Sequence, residues 1–119
     1  MYKRAKDQKR VAHQNFRGGK GEIVMTHFLA EEPYAAACGR LFAKTTIPPG
    51  ASIGRHVHQG DFECYYILSG QAKLWDDGEE VLLTDGDVHA CEDGKSHGIE
   101  NVGETDLTYI ALILYSKDR

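Results

Sequence analysis

His56 and His58 stand one residue apart, and that spacing constrains the fold more than any other feature of the chain. Side chains two residues apart diverge on an α-helix but share one face of a β-strand, where the side-chain period is two. Both imidazoles can serve one site only if a strand carries them. Glu63 follows, opening the apolar run Tyr65-Tyr66-Ile67-Leu68. Two imidazoles and a carboxylate converging from neighbouring strands suit a divalent transition metal with open coordination positions.

The flanking sequence reads as strands throughout. Glu22 to Leu29 is rich in strand formers, and Leu41 to Ile47 forms a strand that Pro48-Pro49-Gly50 stops, since proline cannot donate to a ladder. Further strands are expected at 54–58, 62–69, 71–75, 80–84, 87–91, 97–101 and 106–115. Between them lie Ser69-Gly70, Asp76-Asp77-Gly78, Asp85-Gly86, Asp93-Gly94 and Val102-Gly103. Asp77-Gly78 between Leu74-Trp75 and Val81-Leu82 is a hairpin signal. Many short strands at intervals of roughly ten residues favour a sandwich or barrel. No long stretch has helical periodicity.

Glycines and histidines recur at fixed distances. Gly50, His56, His58, Glu63 and Gly70 form one set; Gly86, Glu92, Gly94, His97 and Asn101 form a second, fifteen residues on. In these two sets the chain resembles the cupin superfamily. Its first motif, Gly-x5-His-x-His-x3-4-Glu-x6-Gly, is matched at every fixed position. Its second, Gly-x5-Pro-x-Gly-x2-His-x3-Asn, is matched except at the proline, where this chain has Glu92. The resemblance is to small single-domain metal-binding cupins of the oxalate-decarboxylase-like, conserved-barrel type. It implies an all-β double-stranded β-helix, or jelly roll. It also implies that His56, His58, Glu63 and His97 are metal ligands.

Three imidazoles and one carboxylate on a rigid barrel suit an octahedral ion with two free cis positions. That favours Mn²⁺ or Fe²⁺ and leaves Zn²⁺, Ni²⁺ and Co²⁺ open. Such an ion can take a small carboxylate or dicarbonyl in bidentate fashion, so decarboxylase-like or dioxygenase-like enzyme chemistry is expected. A non-catalytic sensing module for a small metabolite is the alternative, and a sugar isomerase-like cupin a further one. Parity with Glu63 turns Tyr65 and Ile67 inward. Tyr65, Tyr109 and His27 are the candidate catalytic groups, since either reaction needs a proton donor or acceptor beside the metal. His13 and His89 read as ordinary packed or solvated histidines. Glu92 reads as a solvated turn residue, and Asn101, with Gly86 and Gly94, as a shaper of turns and strand ends. Residues 30–38 read as a loop or short helical turn that can form part of a lid.

At 119 residues, 41% hydrophobic and 27% charged, the chain suits one soluble domain. We expect an N-terminal arm over residues 1–21 and one barrel over 22–119. Neither a membrane-length apolar run nor a signal-peptide core is evident, so a cytoplasmic location is expected. Cys38, Cys64 and Cys91 form no CxxC pair and are expected to be buried small hydrophobes rather than a disulfide framework. Residues 1–20 hold seven Lys or Arg and one Asp, whereas the rest holds seven basic and seventeen acidic side chains. An acidic body repels a phosphate backbone, so the basic arm is expected on an acidic protein surface rather than on nucleic acid. The last strand, Leu107 to Tyr115, is apolar on both faces; one can line the barrel and the other needs cover, which points to a homodimer.

Overall fold

The computed structural model describes residues 1–29 and 32–117. Ten strands make two antiparallel sheets that face each other. They are β1 (Lys9–Gln14), β2 (Glu22–His27), β3 (Gly39–Ile47), β4 (Ser52–Val57), β5 (Asp61–Ser69), β6 (Ala72–Asp76), β7 (Glu79–Leu83), β8 (Val88–Cys91), β9 (Ser96–Asn101) and β10 (Leu107–Tyr115). One sheet runs β1-β2-β3-β10-β5-β8 and the other β4-β9-β6-β7. This is the expected double-stranded β-helix.

The core follows from alternation. On β10, Leu107, Tyr109, Ala111 and Ile113 are all buried, which settles which face of that strand is inside. Opposite them on β5 stand Glu63, Tyr65 and Ile67, on the same inward parity. Ile53, Leu74 and Ile99 from the second sheet close over these side chains. The other face of the six-stranded sheet is not covered: Phe42, Tyr66, Leu68 and Val88 are exposed there.

The turns are built as their residues dictate. Asp77 and Gly78 both have positive φ (49° and 93°) between paired Asp76 and Glu79, the two-residue hairpin that twisted strands favour. Gly70 has φ 117°, and a Cβ there would lie 2.8 Å from the Leu107 Cα, so only glycine lets β5 turn beneath the start of β10. Asn101 is buried; its amide donates to the Ile47 and Thr105 carbonyls, both at 2.8 Å, and its Oδ1 accepts from the Gly103 N–H. Glu92 is exposed, and its carbonyl closes a turn with the Lys95 N–H at 3.0 Å. That turn forms without the proline of the motif.

Three expectations are revised. Lys9–Gln14, expected within an N-terminal arm, is a strand on β2 with Lys9 opposite His27 and Gln14 opposite Glu22. It shows no apolar period because it is an edge strand with no fully buried residue. The cysteines are not uniformly buried: Cys91 is, Cys64 is half-buried, and Cys38 is exposed in the turn between the short helix α1 (Pro33–Ala36) and β3. And β4 and β5, consecutive in sequence, belong to different sheets, so His56 and His58 meet Glu63 across the interior rather than side by side. Of the 30–38 segment, residues 30 and 31 lie outside the described residues. No helix among the described residues is long and apolar enough to cross a membrane.

Candidate metal centre and adjoining cavity

Three strands deliver four donor side chains to one point. β4 carries His56, and His58 follows its last residue; β5 carries Glu63 and β9 carries His97. Val57 between the two histidines points to solvent, as alternation requires. The register sets His56 opposite His97. One donor atom from each of the four residues lies within 4.8 Å of all the others. His58 Nε2 is 3.1 Å from Glu63 Oε1 and 3.1 Å from His97 Nε2. His97 Nε2 is 3.0 Å from Glu63 Oε1 and 3.1 Å from His56 Nε2. Adjacent donors about 2.1 Å from a common centre stand about 3.0 Å apart, so this spacing fits one small cation.

Each imidazole is oriented from behind. His56 Nδ1 donates to the Gly54 carbonyl at 2.8 Å, and His58 Nδ1 donates to Asp61 Oδ1 at 2.7 Å. Both partners only accept, so both Nδ1 atoms carry a proton; Nε2 offers a lone pair in the neutral ring, and without a metal the bond from His58 Nε2 to Glu63 raises the His58 pKa. His97 Nδ1 lies 3.0 Å from His89 Nε2. Burial, with the nearby His97, pushes the His89 pKa down to about 4, so His89 is neutral and its Nε2 can accept. Asp61 is itself held by Arg40, whose Nε donates to Oδ2 at 2.7 Å. Such outer partners fix ring orientation and raise ligand basicity.

Burial works against the Glu63 charge, but His58 and His97 outweigh it and hold the pKa at about 2, against an ordinary 4.5. Glu63 is therefore an ionised carboxylate in the buried interior. Three oriented imidazoles and one ionised carboxylate form a donor set that can hold a divalent metal.

The cluster opens on a cavity of about 90 Å³. His56, His58 and Glu63 form one wall; Tyr65, Tyr109, Thr45 and Met25 form the interior, and Arg17 and Arg40 line it as well. Thr45 Oγ1 and the Tyr109 hydroxyl are buried and make no well-formed hydrogen bond among the described residues, although Thr45 and Tyr65 both lie near enough to the Tyr109 hydroxyl to interact with it. Burial, then the Glu63 charge, pushes both the Tyr65 and Tyr109 pKa values well above the ordinary phenol value. Both phenols thus stay protonated at neutral pH.

The structure brings His56, His58, Glu63, His97, Tyr65 and Tyr109 together. It does not bring His27 to the cavity wall. His27 ends β2 opposite Lys9 and Ala43, and burial with the Lys9 and His13 charges lowers its pKa. Two contributors escape a motif reading. Asp61 and His89 fall at variable positions inside the two motifs, yet parity places them: Asp61 shares the inward face of β5 with Glu63, and His89 pairs with Tyr65 across β5 and β8.

Comparison with known proteins agrees with this geometry. The chain is 48% identical over 100 residues to the oxalate-binding protein of Thermotoga maritima, covering 84% of this chain and 82% of that one. It superposes on the crystal structure of a predicted oxalate decarboxylase from Thermotoga maritima with a TM-score of 0.90 and 43% identity, covering 98% of this chain and 100% of the other. The cupin domain of Schizosaccharomyces pombe Cnp3 shares the fold at a TM-score of 0.71 and 14% identity, over 89% of this chain and 69% of that one. The family model for the cupin domain matches residues 43–113, most of both sheets and all four cluster residues, and on that ground the chain belongs to the cupin family.

Proposed function

We propose that the protein holds one divalent transition-metal ion through His56, His58, Glu63 and His97, and with it binds a small carboxylate such as oxalate in the adjoining cavity. One observation carries the reading: the donor cluster opens on a small cavity whose wall presents the buried Thr45 and Tyr109 hydroxyls, which lie near each other but make no well-formed hydrogen bond among the described residues. A buried polar group left unpaired costs about 1–3 kcal/mol. Carboxylate oxygens in the cavity would accept from both hydroxyls and remove that cost. A bound divalent ion would supply a Lewis-acid centre with open positions for the same anion. A four-donor set that leaves two positions of an octahedron open suits Mn²⁺ or Fe²⁺, and its three imidazoles also accept Zn²⁺, Ni²⁺ or Co²⁺. The oxalate-binding relative in Thermotoga maritima supports the ligand class.

Binding without turnover is the reading the side chains favour. Decarboxylation or O₂-dependent cleavage requires a group that exchanges a proton near neutral pH. Tyr65 and Tyr109 hold theirs too tightly, and His27 is not on the cavity wall. The enzyme reading keeps one support, the likeness to a predicted oxalate decarboxylase. Calorimetry on the Mn²⁺-loaded protein with oxalate, a 2-oxo acid and a hexose tests the ligand class, and incubation with oxalate under air and under argon tests turnover. Oxalate binding with no product is expected. Failure of every carboxylate to bind refutes the proposal, and steady release of carbon dioxide converts the binding protein into an enzyme.

We infer as well that the protein is a homodimer. The uncovered outer face of the six-stranded sheet carries Phe42, Tyr66, Leu68 and Val88, an apolar surface that a second copy would cover. Residues 1–29, which hold the basic arm, are expected to touch the acidic body of the partner.

A further inference from the structure

The turn between β1 and β2 is strained, pinned to the other sheet and furnished with a cation at the cavity. Asn15 and Arg17 both adopt positive φ (52° and 54°), a conformation that side chains other than glycine seldom take. Strain of this kind persists where surrounding structure enforces it, and it concentrates at functional sites. Here the enforcement is visible. Ser52 N–H donates to the Lys20 carbonyl at 2.9 Å, and the Lys20 N–H donates to Ser52 Oγ at 3.0 Å. Gly54 leaves room for the Arg17 carbonyl, and Gly19 leaves room for the Ser52 carbonyl; a Cβ at either position would collide with backbone. Gly54 is also the residue whose carbonyl holds His56. The turn is therefore strapped to the strand that carries the first metal-cluster histidine.

The strap delivers Arg17 to the cavity. Arg17 and Arg40 are the arginines among its lining residues, no lysine lines it, and Glu63 is its one lining carboxylate. Both arginines lie outside residues 43–113, the stretch matched by the cupin family. The Arg17 guanidinium lies 5.6 Å over the ring of Phe16, itself a lining residue, while Arg40 is ion-paired through Nε with Asp61, so Arg17 brings the larger share of the positive field to the cavity. Both planar forks match carboxylate geometry.

We propose that Arg17, held in its strained turn, and Arg40 select a doubly charged ligand over a singly charged one of the same shape, so that the cavity takes a dicarboxylate rather than a monocarboxylate. The inference rests on the carboxylate reading above. A dicarboxylate that turns one oxygen of each carboxylate to the metal cluster keeps two outward oxygens, with charge, for the guanidinium groups. The amide of a monoanionic isostere offers less charge and a donor where an acceptor is wanted. Arg17 is the residue to test, because Arg40 also holds Asp61 behind His58 and its loss would disturb the metal cluster.

The test compares oxalate with its monoanionic isostere oxamate, by calorimetry on Mn²⁺-loaded wild type, Arg17→Gly and Arg17→Lys, with metal content measured for each. Wild type is expected to prefer oxalate. Arg17→Gly should lower that preference about fivefold, the scale of one partly exposed ion pair, with metal content unchanged. Its melting temperature should hold or rise, because glycine relieves the positive φ. Arg17→Lys should keep part of the preference. A side chain with only a structural role would instead leave the oxalate-to-oxamate ratio unchanged, with both ligands affected equally. An oxalate-to-oxamate ratio that Arg17→Gly leaves unchanged overturns the inference while the carboxylate reading stands. Wild type that binds neither ligand overturns both.

Discussion

His97 Nδ1 lies 3.0 Å from His89 Nε2, so one of the four donors of the metal cluster is oriented by another imidazole. The backing of His56 is a carbonyl and that of His58 a carboxylate, both fixed acceptors. His89 can accept only while neutral, and its burial beside His97 keeps it so.

That relationship gives the first prediction. His89→Ala should keep the fold but weaken metal affinity about tenfold or more, the usual scale for removing a ligand's outer partner. His89→Gln, which keeps an acceptor, should recover part of the loss. His58→Ala, which removes a donor, should abolish stoichiometric metal. Competition with a chromophoric chelator measures all three; equal affinity in His89→Ala and wild type would show the His97–His89 contact to be incidental.

Asn101 ties β9 to the end of β3 and to the loop before β10. Asn101→Ala leaves two carbonyls and one N–H without their partner. Buried polar groups stripped of partners cost about 1–3 kcal/mol each, less where water enters, so a loss of roughly 2–4 kcal/mol is expected in urea unfolding. Asn101→Asp should fall between, because its carboxylate can still accept from Gly103 but cannot donate.

Two motif glycines should respond differently to alanine. Gly50→Ala meets no atom within 4 Å and carries only the cost of φ 82°, about 1–2 kcal/mol. Gly70→Ala adds contacts of 2.8 Å with the Leu107 Cα and 3.0 Å with the Asp106 carbonyl, so its loss should clearly exceed that of Gly50→Ala. Thermal unfolding of the pair, without metal, checks the order.

The outer face of the six-stranded sheet should report assembly. Tyr66 and Val88 are paired neighbours on β5 and β8, both exposed. Replacing both with lysine should yield a folded monomer, because like charges would face each other across any symmetric contact made there. Light scattering on wild type at micromolar concentration is expected to give a dimer mass. An unchanged mass for the double variant would move the interface elsewhere.

Much of this protein is decided by spacing along the chain. The i, i+2 histidines demand a strand, the glycines at 70, 78, 86 and 94 mark turns with positive φ, and the alternation on Leu107 to Tyr115 defines two apolar faces. From these a barrel or sandwich and the nine strands from Glu22 onward are legible, because strand periodicity and turn chemistry are local properties; the four-residue donor set is implied by the resemblance to the cupin motifs. Which face of the last strand is inside, which sheet each strand joins and what stands behind each ligand are not local. Asp61 and His89 sit at variable motif positions and acquire their roles only when β5 is placed beside β8 and opposite β9. Lys9–Gln14 becomes a strand only because β2 offers it an edge. Arg17 reaches the cavity because two glycines, Gly19 and Gly54, let its strained turn close on β4. His58 and Asp61 are three positions apart and His89 and His97 eight, but each pair meets across a turn, and no periodicity within one strand encodes a contact whose other half lies in another.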